Sequence, residues 1–292
     1  MDHVLRTTTS PTQAGDWALV LASASIEHRV DEHDGRFELH VRPEDAVTAN
    51  DALAAFDAEG EPEQQPPAPD VGWSPLGVQG AIAFAAMLLV TGLRANGSRW
   101  FQAGSAAAAL IRHGEWWRAV TALTLHEDMA HAVLNGVAAL VFFSAVGRWM
   151  GAGLGALVIV VAASLANLLA AVWHKPHIVS VGASTATFAA LGIVAGLQVA
   201  RRLRLRTRRG YAWVPLGAAL ALFAITDVGG EGVDYQAHLA GLGVGAAVGV
   251  GWAVMVLRRG WRPLRPLLQA LIGVATLAAV AGCWWLAFHR PG

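Results

Sequence analysis

The sequence predicts an all-α polytopic membrane protein preceded by a small soluble α+β domain. Three observations predict it. Of 292 residues, 55% are hydrophobic and only 14% charged, with a mean hydropathy of +0.45, whereas soluble domains carry about 25% charged residues. The acidic residues are unevenly placed: 15 of the 21 lie before Val71, and six are spread over the 222 residues that follow. Seven apolar runs then succeed one another to the end of the chain.

Residues 1–60 make up the predicted soluble domain. Positions 12–24 carry apolar residues at helical spacing. Residues 26–32 and 36–42 read as strands around Asp34-Gly35, a hairpin signal. Arg42-Pro43-Glu44-Asp45 opens a second helix reaching about Glu59, with proline and acids in its first turn. The domain holds no evident catalytic cluster, so a regulatory or assembly role is expected. Residues 61–75 form a linker whose first ten, EPEQQPPAPD, have no means of burying a core. No signal-peptide pattern is visible in the polar first 70 residues.

The apolar runs are 76–93, 129–147, 151–173, 182–200, 211–226, 235–257 and 267–288. About 20 largely apolar residues cross a bilayer as a helix. Six runs suffice; 211–226 is short and contains Pro215, which favours tilting, local thinning or loose packing. The first six runs make a core over 76–257, and 258–292 adds a basic linker and a seventh span. The connection 94–125 is rich in Ala, Trp and Phe, so it is expected to lie partly in the interface, where Trp is favoured. With the N-terminus in the cytoplasm, inside loops hold 11 Arg, including both dense clusters 201–209 and 258–265, against six Arg or Lys outside, as the positive-inside rule requires. An Arg- and Ala-rich chain with a single Lys points to a GC-rich bacterial genome, and a bacterial inner membrane with a cytoplasmic N-terminus is the expected location. A net charge of zero gives no sign of nucleic-acid binding. One cysteine, Cys283, excludes a disulfide framework and reads as an inert core thiol.

This topology brings three polar sets to one level near the outer face. Ser184 is the third residue of the fourth run and His238 the fourth of the sixth, while His126, His131 and Asn135 mark the start of the second. Polar groups within a bilayer are costly and signal function by default. A serine hydroxyl becomes a nucleophile only with a base in reach; the plainer reading is that small residues here serve close packing, as at Gly192 and Gly196. His238, Gly241 and Gly245 fall at i, i+3 and i+7 on one helical face. Such a face can bring an imidazole against a neighbouring backbone; the alternative is a histidine satisfied by a carbonyl. His131 and Asn135, four apart, share a face and can supply donors to a developing oxyanion, or form an interhelical clamp. His126-Glu127-Asp128-Met129-Ala130-His131 suggests a zinc protease, but its histidines are five apart where i and i+4 are needed. No metal and no cofactor is therefore expected. His113, His174 and His177 read as ordinary solvated loop histidines.

Together these segments resemble the rhomboid intramembrane proteases. The resemblance rests on Gly182-Ala183-Ser184-Thr185 opening the fourth span and on Ala237-His238-Leu239-Ala240-Gly241 through Gly245 on the sixth. It rests also on His126, His131 and Asn135 at the second span, and on Trp117-Arg118 nine residues before His126. It covers about 76–257, and the seventh span makes a six-plus-one arrangement. The resemblance implies Ser184 as nucleophile and His238 as general base, then acid. It implies an oxyanion hole of His131, Asn135 and the Ser184 N–H, with Phe188 packed on the base. Trp117 and Arg118 would stabilise the first loop, and His126 would organise that loop and nearby water. No carboxylate lies in the spans beside His238, so a dyad is implied. Thr185 departs from the small Gly common after the nucleophile, which bears on substrate preference.

The implied substrates are membrane proteins whose helix partly unwinds near the outer face, met within the lipid bilayer. The short fifth run and the glycine-rich 227–234 are expected to form a gate. One competing reading is a rhomboid-like protein that binds membrane clients without cutting them; such relatives usually lack the Ser or the His. A transporter on the same spans predicts paired mid-membrane charges, and none is evident.

Overall fold

The structure, a computed structural model, describes residues 3–58, 74–94, 97–204, 212–227, 234–260 and 263–290. It divides into two units, Met1–Pro66 and Pro67–Gly292. The first has a three-stranded antiparallel sheet of order β1-β3-β2, from β1 (His3–Thr8), β2 (His28–His33) and β3 (Arg36–Val41). The helices are α1 (Pro11–Ser23) and α2 (Ala46–Ala58). Asp34 and Gly35 both take positive φ, as the hairpin signal implied. β1 had no alternating pattern strong enough to be read from sequence. The core is Trp17, Leu21, Ile26, Leu39, Val41, Ala49 and Leu53.

Among the described residues the second unit contains five helices long and apolar enough to cross a membrane. These are α7 (Met129–Met150), α8 (Ala152–Trp173), α9 (Ser184–Arg204), α11 (Tyr235–Arg259) and α12 (Pro266–His289). Two shorter apolar helices, α3 (Leu76–Thr91) and α10 (Val214–Asp227), lie on the first and fifth runs. The first loop is folded: α4 (Arg99–Gly104), β4 (Ala106–Ala107), α5 (Ala108–Arg112) and α6 (Arg118–Thr121). Composition had marked it as apolar; its helices are too short for periodicity to reveal. β4 pairs with β5 (Val179–Ser180) through Ala106–Ser180 and Ala107–Val179. This fixes the first loop beside the segment leading into α9.

The centre of the unit is α9, of whose apolar stretch 67% is buried inside the protein. Glycines let α9 and α11 touch backbone to backbone. A Cβ on Gly192 or Gly196 would strike the carbonyls of Leu242 and Ala246. In return, a Cβ on Gly241, Gly245 or Gly249 would strike those of Thr185, Ala189 and Ile193. Small residues at such interfaces allow the packing that drives helix association in lipid. The last helix is tied in by polar contacts. Gln269 Nε2 donates to Met150 O at 2.8 Å, and its Oε1 accepts from the Leu154 N–H at 2.9 Å. Trp284 Nε1 donates to Thr124 Oγ1 at 3.2 Å.

Gly243 tests the glycine face by contrast, since a Cβ there meets nothing within 4 Å. Gly245→Ala should lower the thermal stability of the detergent-solubilised protein by the equivalent of about 1–3 kcal/mol, the usual range for overpacking. Gly243→Ala should leave it within about 0.5 kcal/mol. Equal transitions for the two variants would show that this face is not closely packed.

Candidate active site

Three helix N-termini and one ordered loop make the site. α7 begins at a built cap: Asp128, in extended conformation, accepts the His131 N–H at 2.7 Å through Oδ1. An N-cap carboxylate satisfies an orphan donor of the first turn. Its neighbour Glu127 pairs with Arg94 at 2.8 Å. Both acids that gave the sequence a zinc-like look therefore have structural partners. One turn further, Asn135 is buried, and its Nδ2 has no hydrogen-bonding partner among the described residues.

α9 begins at Ser184 itself. The turn before it requires glycine: Gly182 has φ +135, and a Cβ there would lie 2.6 Å from His131 Cε1 and 3.3 Å from Ser184 Oγ. Gly182 is thus the point where the His131 ring and the serine hydroxyl converge, and its N–H donates to Ala122 O at 3.0 Å. α11 carries His238 in its first turn, with its Nε2 at 2.6 Å from Ser184 Oγ. The imidazole is buried and stacks on Phe188, ring centroids 4.7 Å apart and planes inclined by 27°. Phe188 lies one turn after Ser184, so α9 supplies both the hydroxyl and the ring face that orients its partner. Gly241 and Gly245 set how closely α11 approaches.

The first loop forms a rigid wall. Arg118 is buried and bonds Glu115 at 2.6 Å, with further donations to Gln102 O and Ser105 O at 3.0 and 3.1 Å. A buried charge is tolerated only with such partners. Trp117 is buried beside it in a cluster with Phe101, Leu125, Cys283 and Trp284. Asn167 Nδ2 of α8 donates to Ala119 O at 2.9 Å.

His126 is 0% exposed. Its ring lies edge-on to His131 at 6.0 Å and to Phe84 at 5.6 Å, and neither nitrogen has a partner among the described residues. Burial, and secondarily the neighbouring His131, pushes its pKa down to about 4. His174 departs from its sequence reading as a solvated histidine. It is only 8% exposed, and its Nε2 donates to Asp234 Oδ1 at 2.8 Å. Sequence reasoning missed Asp234 and Ser180, which bonds the other carboxylate oxygen. Asp234 could have been found as an acid just before the apolar periodicity of α11, an N-cap signal; its distant partners had no local signal.

A depressed histidine pKa means that the unfolded chain binds the extra proton between the ordinary value of 6.5 and about 4. Stability is therefore fully present above pH 6.5 and falls as pH drops toward 4. His126→Phe should flatten this dependence, removing on the order of 1–3 kcal/mol of the acid-side loss. Thermal melts between pH 4 and 7 check it; identical slopes for both proteins would remove His126 as the cause.

Residues 113–256 match the Rhomboid domain. The chain is 30% identical over 212 residues to rhomboid protease GluP of Bacillus subtilis (strain 168), a match covering 70% of this chain and 38% of that protein. It is 26% identical over 132 residues to putative rhomboid protease YdcA of the same organism, covering 45% of this chain and 65% of that one. It thus spans less than two thirds of the length of either relative. With the Rhomboid domain, these matches and its long apolar helices, the chain belongs to the rhomboid family and is an integral membrane protein.

Proposed function

We propose that the protein is an intramembrane serine endopeptidase that cuts spans of other membrane proteins with a Ser184–His238 dyad near the outer membrane face. The observation carrying this reading is the 2.6 Å separation of His238 Nε2 and Ser184 Oγ across two helices. A hydroxyl and an imidazole at that distance are a nucleophile and its base. Both relatives are named rhomboid proteases, which supports the same reading.

The chemistry follows from the positions. Ser184 Oγ attacks the scissile carbonyl as His238 Nε2 takes its proton. The carbonyl oxygen becomes an oxyanion, for which His131, Asn135 and the Ser184 N–H are the donors. The C–N bond then breaks, and His238 returns the proton to the leaving amine. Water, deprotonated by the same imidazole, attacks the acyl-enzyme; the acyl C–Oγ bond breaks, His238 returns the proton to Ser184 Oγ, and the second product leaves with a new carboxyl group. Donors held in place before reaction are worth about 10²–10³ in rate each. Phe188 substitutes for a carboxylate in orienting the imidazole, by ring stacking. Gly182, Gly241 and Gly245 set the approach, while Trp117, Arg118 and His126 hold the loop wall.

Hydrolysis needs water, which lipid excludes, and a dyad in the first turns of two helices lies nearer the aqueous phase than one at mid-span. A helical substrate shields its own peptide bonds, so spans that unwind readily near that face are the expected substrates. Positive-inside counting favours a cytoplasmic N-terminus, and the Bacillus relatives favour a bacterial inner membrane. Lateral access would pass α10, which packs on α9 and α11 through a narrow seam of Leu216 and Ala219 against Phe188, Leu191, Ala195 and Leu242. The proposed gate continues into 228–233, outside the described residues. A client-binding protein without activity has no need of the 2.6 Å pairing.

A fluorophosphonate probe should label the purified wild type and neither Ser184→Ala nor His238→Ala. His131→Ala and Asn135→Ala should label about 10²-fold or more slowly. Equal labelling of Ser184→Ala would refute the assignment. In proteoliposomes, a disulfide joining α10 to α7 should stop cleavage of a membrane-embedded substrate while sparing probe labelling; unimpaired cleavage would exclude gating there.

A further inference from the structure

Asp234 joins three elements: α11, α8 and β5. Its Oδ1 accepts the Ala237 N–H at 3.0 Å, capping α11. The same oxygen accepts from His174 Nε2 at 2.8 Å, at the C-cap of α8. Its Oδ2 accepts the hydroxyl of Ser180, in β5. His174 is further fixed by Arg112 Nη1, which donates to its carbonyl at 3.2 Å. Capping an exposed helix end needs one carboxylate oxygen and no partners from elsewhere. Here every strong contact of the carboxylate besides the cap reaches at least 54 residues along the chain, and both the acid and the imidazole are largely withdrawn from water.

The placement gives these contacts a consequence. Asp234 is four residues before His238, and Ser180 four before Ser184. We propose that Asp234, His174 and Ser180 form a positioning latch that sets the N-terminus of α11 against the segment entering α9, and so holds His238 in register with Ser184. This rests on the dyad reading. The trio is not itself a second hydrolytic triad, although it contains Ser, His and Asp. In a triad the imidazole sits between hydroxyl and carboxylate; here the carboxylate sits between the other two, so the serine has no base. Nor does Asp234 act on the substrate: it is a positioning residue, acting through the backbone that carries His238. Burial raises its pKa, but the bonds from His174, Ser180 and the Ala237 N–H outweigh that and hold it below the ordinary carboxylate value. The acceptor thus stays charged at neutral pH, which keeps all three bonds charge-assisted.

The latch predicts how damage is distributed. Small misplacements of a reacting pair cost up to about a hundred-fold in rate. Asp234→Ala should slow fluorophosphonate labelling of Ser184 by about that factor. His174→Ala and Ser180→Ala, neither of which removes the cap, should each slow it by roughly tenfold. The loss should fall on kcat with KM for a membrane-embedded substrate unchanged. His174→Ala combined with Asp234→Ala should be no slower than Asp234→Ala alone, because the partners act as one unit. Asp234→Asn keeps a good cap and should recover only part of the rate. Full recovery in Asp234→Asn together with wild-type rates for His174→Ala and Ser180→Ala would overturn the latch and leave a helix cap. Hydrogen exchange of the peptide 234–242 gives a readout independent of activity. It should speed up in His174→Ala and Ser180→Ala, and unchanged exchange in both would also overturn the proposal. A wild type that no probe labels would instead refute the protease reading, with the exchange result still deciding on the latch.

Discussion

The backbone contact between α9 and α11 is the constraint on which the site depends. Lipid gives apolar helices little reason to prefer one another over acyl chains. A stable pair therefore needs close dispersion contact, which a side chain at the interface prevents. Gly192 and Gly196 on one helix and Gly241, Gly245 and Gly249 on the other remove that obstacle at alternating levels. The resulting separation is short enough for a hydroxyl at the start of α9 to meet an imidazole in the first turn of α11. A serine and a histidine have limited reach; their pairing is set by how near the two backbones come.

Around this axis the polar groups are arranged so that few are left to lipid. Arg118 and Glu115 neutralise each other under the first loop, Asn167 and Thr121 are spent on loop carbonyls, and Gln269 closes the turn between α7 and α8. Each such bond, made where water is scarce, is stronger than at a surface and expensive to break. The groups near Ser184 behave differently. Asn135 Nδ2 and both nitrogens of His126 have no partner among the described residues. Asn135 lies one turn beyond His131, whose ring borders Gly182 beside Ser184, so the proposed reaction has a use for a donor left open there.

Much of this was legible in the sequence, for identifiable reasons. Long apolar helices announce themselves by length and hydropathy, and all seven runs carry helices. The glycine spacing on α11 pointed to its buried face because i, i+3 and i+7 is a property of the helix alone. What the sequence did not show was contact between distant segments. Nothing near His174 distinguishes it from His113 or His177; its side-chain partner is Asp234, 60 residues away. The strand pair of β4 and β5 is two residues long on each side, too short for any alternation. Phe188, by contrast, was expected against His238 from the family resemblance, its place one helical turn after Ser184 being visible in the sequence.

The proposed dyad has no acid, which raises the question of what orients the imidazole. In a triad the carboxylate both fixes the ring and balances the charge it gains. The proposed site divides these tasks. Phe188 fixes the ring by stacking, and the α9 backbone fixes the distance through the glycine face. The acid nearest in sequence, Asp234, is turned to the frame, bonding the backbone of α11 and two partners outside it. A carboxylate inside the helix pair would have to be desolvated without a permanent counter-ion, at a cost of several kcal/mol. At the helix terminus it stays charged, supported by one backbone N–H and two side-chain donors. Placing the charge one turn away from the imidazole thus satisfies the membrane, and it makes the geometry of the dyad a property of how the helices are anchored.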